Sequence, residues 1–148
     1  MKVFFVCTGN TCRSPMAEAI LKQKGLENIK VKSAGIYAMD GAEMSFNAQE
    51  ILNEHDIPHQ HFSKQITHED VEWADVILTM THAHKQAILN EFEQSYGKIY
   101  TLTEFAEQSN LGDVMDPYGG SLQVYRYTFE QLNQLIDQSI NRLREGEV

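Results

Sequence analysis

The chain has 148 residues, 42% of them hydrophobic, which suits one domain with a buried core and leaves no room for a second. Its 12 basic against 21 acidic side chains give a formal net charge of -9, which argues against nucleic acid as a partner, because phosphate backbones are bound mainly through Lys and Arg. No apolar run is long enough to span a bilayer and the N-terminus lacks a signal-peptide pattern, so a cytoplasmic protein without membrane contact is expected.

In chain order, Lys2 to Cys7 reads as a fully buried strand, and Ser14-Pro15 reads as the N-cap and first residue of a helix running to Lys24 with Ala17, Ile20 and Leu21 on one face. A strand is predicted at Ile29 to Ser33 and a loop over Tyr37 to Met44. A second helix follows at Ser45 to His55, carrying Ala48, Ile51 and Leu52. Thr67 with Asp70 three residues on resembles the start of a short helix. A strand at Asp75 to Met80, a helix at His82 to Phe92 and a strand at Lys98 to Leu102 come next. Gly112 to Ser121 is a loop. From Ser121 to the terminus, Leu122, Tyr125, Phe129, Leu132, Ile136, Ile140 and Leu143 recur at helical spacing. Strands alternating with helices predict an α/β fold, a single-domain three-layer sandwich with a central four-stranded parallel sheet flanked by helices.

The turn between the first strand and helix is Cys7-Thr8-Gly9-Asn10-Thr11-Cys12-Arg13-Ser14. Backbone N–H groups in such a turn, joined by the helix dipole, form a nest for an oxyanion. The same field is expected to ionise Cys7 below neutrality, and Arg13 offers a two-pronged donor for phosphoryl oxygens. Thiolate attack on phosphorus also needs an acid for the leaving group. Asp116, in Asp116-Pro117-Tyr118-Gly119-Gly120, is preferred over Asp113, because Pro117 stiffens its loop, the glycines permit close approach and Tyr118 can form a wall. An isolated Asp-Pro would be read as a turn initiator. No cofactor or metal is expected. The pairs His59-Gln60-His61 and His82-Ala83-His84 lack a third ligand at metal-site spacing and read as surface or loop histidines.

Together these residues resemble the low-molecular-weight protein tyrosine phosphatase family along nearly the whole chain, through its Cys-x5-Arg-Ser loop at Cys7 to Ser14 and its Asp-Pro-Tyr loop at Asp116 to Tyr118. The resemblance implies a phosphocysteine on Cys7, phosphate binding by Arg13 and the amides of Thr8, Gly9, Asn10, Thr11 and Cys12, and proton transfer by Asp116. It implies that Ser14 hydrogen-bonds the sulfur, and that Asn10 holds the loop through Ser33 and His61. Lys64, where many members have Arg, is assigned no role. Thr11 and the Gly119-Gly120-Ser121 continuation look like the bacterial protein-arginine phosphatase branch. A hydroxyl at position 11 can meet the edge of a guanidinium that a branched alkyl group would leave unpartnered, and Tyr118 can stack on its plane. Phosphoarginine in proteins is therefore the expected substrate and phosphotyrosine the alternative, with the enzyme acting as a monomer. Cys12 is read either as a redox-sensitive partner that captures oxidised Cys7 or as a small buried hydrophobe. Thiol-dependent arsenate reduction is disfavoured because no cysteine follows Cys12, and a non-catalytic phosphate-binding module because nucleophile and acid are both present.

Overall fold

The computed structural model describes residues 1–146, so the last two positions of the expected terminal helix lie outside the described residues. Four parallel strands, β1 (Lys2–Cys7), β2 (Lys30–Gly35), β3 (Val76–Thr79) and β4 (Ile99–Thr101), pair in the order β2-β1-β3-β4. The uncharged Val-Phe-Phe-Val run is buried because β1 is a central strand covered on both faces, as parallel sheets require. Its side chains alternate in the period of two that a pleated strand imposes. Val3, Phe5 and Cys7 join one apolar cluster with helices α1 (Arg13–Gln23), α2 (Phe46–Glu54) and α6 (Leu122–Glu145), while Phe4 and Val6 face a second cluster that includes Val71 and Ile88. Those two residues belong to α3 (His68–Trp73) and α4 (His82–Glu91).

All the expected strands and helices are present, with ends shifted by a few residues. Thr67 caps α3 by accepting a hydrogen bond from the Asp70 N–H. Two local readings need correction. The first helix starts at Arg13, so Ser14 and Pro15 lie inside its first turn and Ser14 is not the cap. Pro15 is tolerated there because its missing N–H would have had no intrahelical partner. A one-turn helix, α5 (Leu102–Phe105), stands where a strand end was expected, closed by reciprocal bonds between Thr101 and Glu104. That capping box was legible in the sequence. Arg142 lays its guanidinium over the Phe105 and Tyr100 rings and donates to the Phe105 carbonyl.

The sheet order reverses between β1 and β3, and the carboxyl ends of the strands at such a switch point form a natural crevice. The Cys7-to-Arg13 turn occupies it. Gly35 at the end of β2 lets that turn approach: a Cβ there would sit 2.4 Å from the Thr8 carbonyl oxygen and 3.0 Å from the Asn10 nitrogen. Gly35→Ala is therefore expected to push the turn off the sheet, lowering Tm by about 3–10 °C for an overpacking cost of about 1–3 kcal/mol, as checked by thermal unfolding. An unchanged Tm would show that the turn yields freely.

Candidate active site

The turn is held by Asn10, which is fully buried and adopts a left-handed conformation at φ 58°. Asparagine tolerates that region better than most residues, because its short amide can bond locally. Every polar atom of this side chain is used. Nδ2 donates to Ser14 Oγ (2.8 Å) and Ser33 Oγ (3.0 Å), while Oδ1 accepts from the Lys64 N–H (2.9 Å) and lies 3.0 Å from His61 Nε2. His61 Nε2 also lies 3.1 Å from the Asn10 carbonyl oxygen. The network with Ser33 and His61 that the resemblance implied is thus present. Lys64 joins it through its backbone, and its ammonium pairs with the buried Asp70.

Cys7, at the end of β1, is 2% exposed, with its sulfur 2.8 Å from Ser14 Oγ. Since Asn10 already donates to that hydroxyl, the Ser14 proton is available to the sulfur. Burial pushes the Cys7 thiol up, while the Ser14 hydroxyl and N–H, the Arg13 charge and the Asn10 N–H all act downward. The expectation of a thiol ionised well below neutrality counted the field of the loop and omitted this opposing cost of taking a thiolate out of water.

Arg13 is 4% exposed and donates from one terminal nitrogen to the Val114 carbonyl (3.1 Å); the other lies 3.7 Å from Asp116 Oδ2. Asp116 Oδ1 accepts from the Tyr118 N–H at 3.1 Å, an Asx-turn that aims the carboxylate. The rival, Asp113, is turned away, its carboxylate accepting from the His82 N–H at the start of α4. Cys7, Thr8, Gly9, Thr11, Cys12, Arg13, Asp116 and Tyr118 together line a cavity of about 210 Å³. Asn10 and Ser14 stand behind that wall. The two cysteines are unpaired, and Cys12 Sγ lies 3.3 Å from Ser45 Oγ and 3.4 Å from the Tyr125 hydroxyl, whose pKa burial and Cys12 push up to about 12.

One histidine escaped the sequence reading. His84 is buried, not on the surface, with Nε2 2.8 Å from the Thr8 hydroxyl and Nδ1 without a hydrogen-bond partner. His61 is half-buried beneath the loop beside Glu18. Glu18 of α1, far earlier in the chain, brings a carboxylate beside His59 and His61, the third group that the sequence seemed to lack.

The family model described as "Low molecular weight phosphotyrosine protein phosphatase" matches residues 2–147, and the chain belongs to that family. It is a phosphatase of the hydrolase class. A protein-arginine-phosphatase of Geobacillus stearothermophilus is 43% identical over 97% of this chain and 96% of its own length. A low molecular weight protein-tyrosine-phosphatase, PtpB of Staphylococcus haemolyticus, is 45% identical over 92% and 95%. Among solved structures, a YwlE arginine phosphatase C7S mutant with a phosphorylated active site serine superposes with a TM-score of 0.92 at 42% identity, covering 99% of this chain and 98% of that one.

Burial, reinforced by the Arg13 charge and opposed by Asp113 and Asp116, lowers the His84 pKa to about 4. An unfolded histidine titrates near its ordinary 6.5, so between these values the unfolded chain binds the extra proton and the folded state loses stability as pH falls. His84→Gln removes the titration and keeps a partner for Thr8. Relative to this variant, the wild type is expected to lose about 1–3 kcal/mol between pH 6.5 and 4, as measured by denaturant unfolding. Parallel pH profiles for the two proteins would refute the assignment.

Proposed function

We propose that this phosphatase hydrolyses phosphoarginine in proteins, with Cys7 as nucleophile, Arg13 and the loop amides as phosphoryl ligands, and Asp116 as acid and then base. The observation that carries the reading is the cavity wall, which Thr11, Asp116 and Tyr118 share with the Cys7 loop. These groups suit a planar leaving group with N–H donors on its edge. An alkyl side chain in place of Thr11 would leave a donor unpaired at a cost of about 1–3 kcal/mol. The arginine-phosphatase relatives support the same substrate. The similarly identical tyrosine phosphatase PtpB keeps phosphotyrosine as the second reading.

In the first step the Cys7 thiolate attacks phosphorus in line, the S–P bond forms and the P–N bond breaks, and Asp116 gives its proton to the departing nitrogen. In the second, water attacks the phosphocysteine, Asp116 takes a proton from it, and sulfur leaves as a thiolate that the Ser14 hydroxyl stabilises. Arg13 remains on the phosphoryl oxygens throughout. Thr8, Gly9, Asn10, Thr11 and Cys12 contribute N–H groups to the same cradle. That Cys12 shares the cavity wall with Cys7 supports a role in trapping an oxidised Cys7 reversibly, the alternative being a small buried residue that packs against Ser45 and Tyr125. Two unpaired thiols suit a reducing cytoplasm, and the enzyme is taken to act as a monomer. Among the described residues no helix is long and apolar enough to cross a membrane.

The test is a side-by-side measurement of kcat/KM on phosphoarginine and phosphotyrosine peptides. The wild type is expected to favour phosphoarginine, and Thr11→Ile to lower the phosphoarginine-to-phosphotyrosine ratio about tenfold or more. A ratio that does not move removes Thr11 from the argument, and a wild type that prefers phosphotyrosine selects the second reading.

The catalytic roles have their own check on an aryl phosphate. Cys7→Ser should abolish turnover, and Asp116→Asn should lose about 10²–10⁴-fold, with less loss when the leaving group needs no proton. Full activity in Cys7→Ser would overturn the nucleophile assignment.

A further inference from the structure

Behind the loop, on the side away from the cavity, the Asn10 network determines where the proton on His61 must sit. The Lys64 N–H donates to Asn10 Oδ1, which identifies that atom as the amide oxygen. His61 Nε2 therefore faces two acceptors, Asn10 Oδ1 and the Asn10 carbonyl, and must carry the hydrogen. In the neutral ring this leaves Nδ1 as a lone pair. That lone pair lies 3.7 Å from another acceptor, Glu18 Oε1. A cation shared by these two acceptors would offset their mutual repulsion.

A third donor set converges on the same place. His59 stacks nearly parallel to His61, with ring centroids 5.8 Å apart and planes at 14°, and its Nε2 is buried without a hydrogen-bond partner. One ligand atom from each of Glu18, His59 and His61 lies within 4.8 Å of the others. Glu18 is buried and held from two sides: Ser33 Oγ donates to Oε1 at 2.6 Å, and Lys22 Nζ pairs with Oε2 at 2.6 Å. The Lys22 side chain is half-exposed and can swing into water when another cation takes its place.

We propose that Glu18, His59 and His61 form a binding site for a zinc-class divalent cation, with two imidazole nitrogens and one carboxylate oxygen as ligands and water in the fourth position. Two histidines and a glutamate with an open position are a known donor set for zinc, at about 2.0–2.2 Å from the ion. Tetrahedral geometry at those lengths separates ligand atoms by about 3.3 Å, so the His61–Glu18 pair is nearly at spacing and His59 closes the remainder by side-chain rotation. A harder ion such as magnesium would prefer more oxygens than this site offers. Metal at His61 Nδ1 leaves Nε2–H bonded to Asn10, so the ion locks the tautomer that the loop scaffold needs. The site stiffens the phosphate loop from behind, at a place no substrate reaches. It is independent of which phosphoryl substrate the enzyme takes.

The experiment is calorimetric titration with zinc chloride, paired with thermal unfolding, in a Cys7→Ser background that removes the competing thiolate. One ion per chain and a raised Tm are expected. His59→Gln and His59→Ala, added separately to that background, should each weaken zinc binding about tenfold or more and abolish the thermal shift, while their Tm without zinc reports that they fold. Equal zinc affinity with and without His59 overturns the assignment. So does the absence of zinc binding in Cys7→Ser, which would mean that a proton alone bridges His61 and Glu18.

Discussion

The left-handed turn at Asn10 is the constraint on which the rest of the site depends. Only by reversing direction there can the backbone between Cys7 and Arg13 curl its N–H groups toward one point. That conformation costs on the order of 1 kcal/mol, and each net hydrogen bond returns about that much, so the four bonds of the Asn10 amide more than offset it. The surplus depends on partners drawn from three separate segments: Ser14 of α1, Ser33 of β2, and His61 and Lys64 of one loop. A loop able to bind an anion without rearranging is thus a product of tertiary structure, although its residues are contiguous.

The need for such rigidity follows from the burial of Cys7. Moving an ion out of water costs several kcal/mol, and a hydrogen bond to a charged group returns about 1.5–3. No single donor can therefore sustain the thiolate. The Ser14 hydroxyl and N–H, the Asn10 N–H and the Arg13 charge act on the sulfur together, and burial still pushes the thiol up in the free pocket. Desolvation has a return in catalysis, since the same low dielectric that raises the thiol strengthens each donor aimed at the transferring phosphoryl group. The overall charge of -9 does not spoil this, because a carboxylate beyond about 8–10 Å in solvent is screened while Arg13 is buried at the site.

Much of the fold was legible because it rests on short-range periodicity: the unbroken apolar run of β1, the three-and-four spacing of α6, and the alternation that predicts a parallel sheet. The loop and Asp116 were legible because their chemistry is written in contiguous motifs. What stayed hidden depends on partners far apart in the chain. Ser14 reads locally as a helix cap; the family resemblance pointed its hydroxyl at Cys7, but nothing local showed that the buried Asn10 amide donates to it. His84 looked like a surface residue because nothing local shows that its ring packs beside Thr8, 76 positions earlier. Glu18 carries no local sign of a role, and only the return of the chain at His59 and His61 brings imidazoles beside it. The Thr101–Glu104 capping box was a local signal, lost because the strand reading was carried one residue too far.

The acid loop presents the opposite problem, that of holding exposed groups still. The Asp116 and Tyr118 side chains stand largely in solvent, yet the backbone around them is pinned at several points. The Val114 N–H donates to the Met80 carbonyl, Asp113 ties back to the His82 N–H, and Asn47 donates to the Gly120 carbonyl. Gly120 itself closes a turn onto the Pro117 carbonyl, in a space where a Cβ would lie 2.9 Å from that oxygen. Arg13 completes the clamp through the Val114 carbonyl, so the guanidinium aimed at the cavity also positions the loop that carries the acid. One buried side chain thereby fixes the separation between its own guanidinium and the Asp116 carboxylate. Exposure of Asp116 suits the proposed mechanism, in which water reaches this carboxylate for the second step.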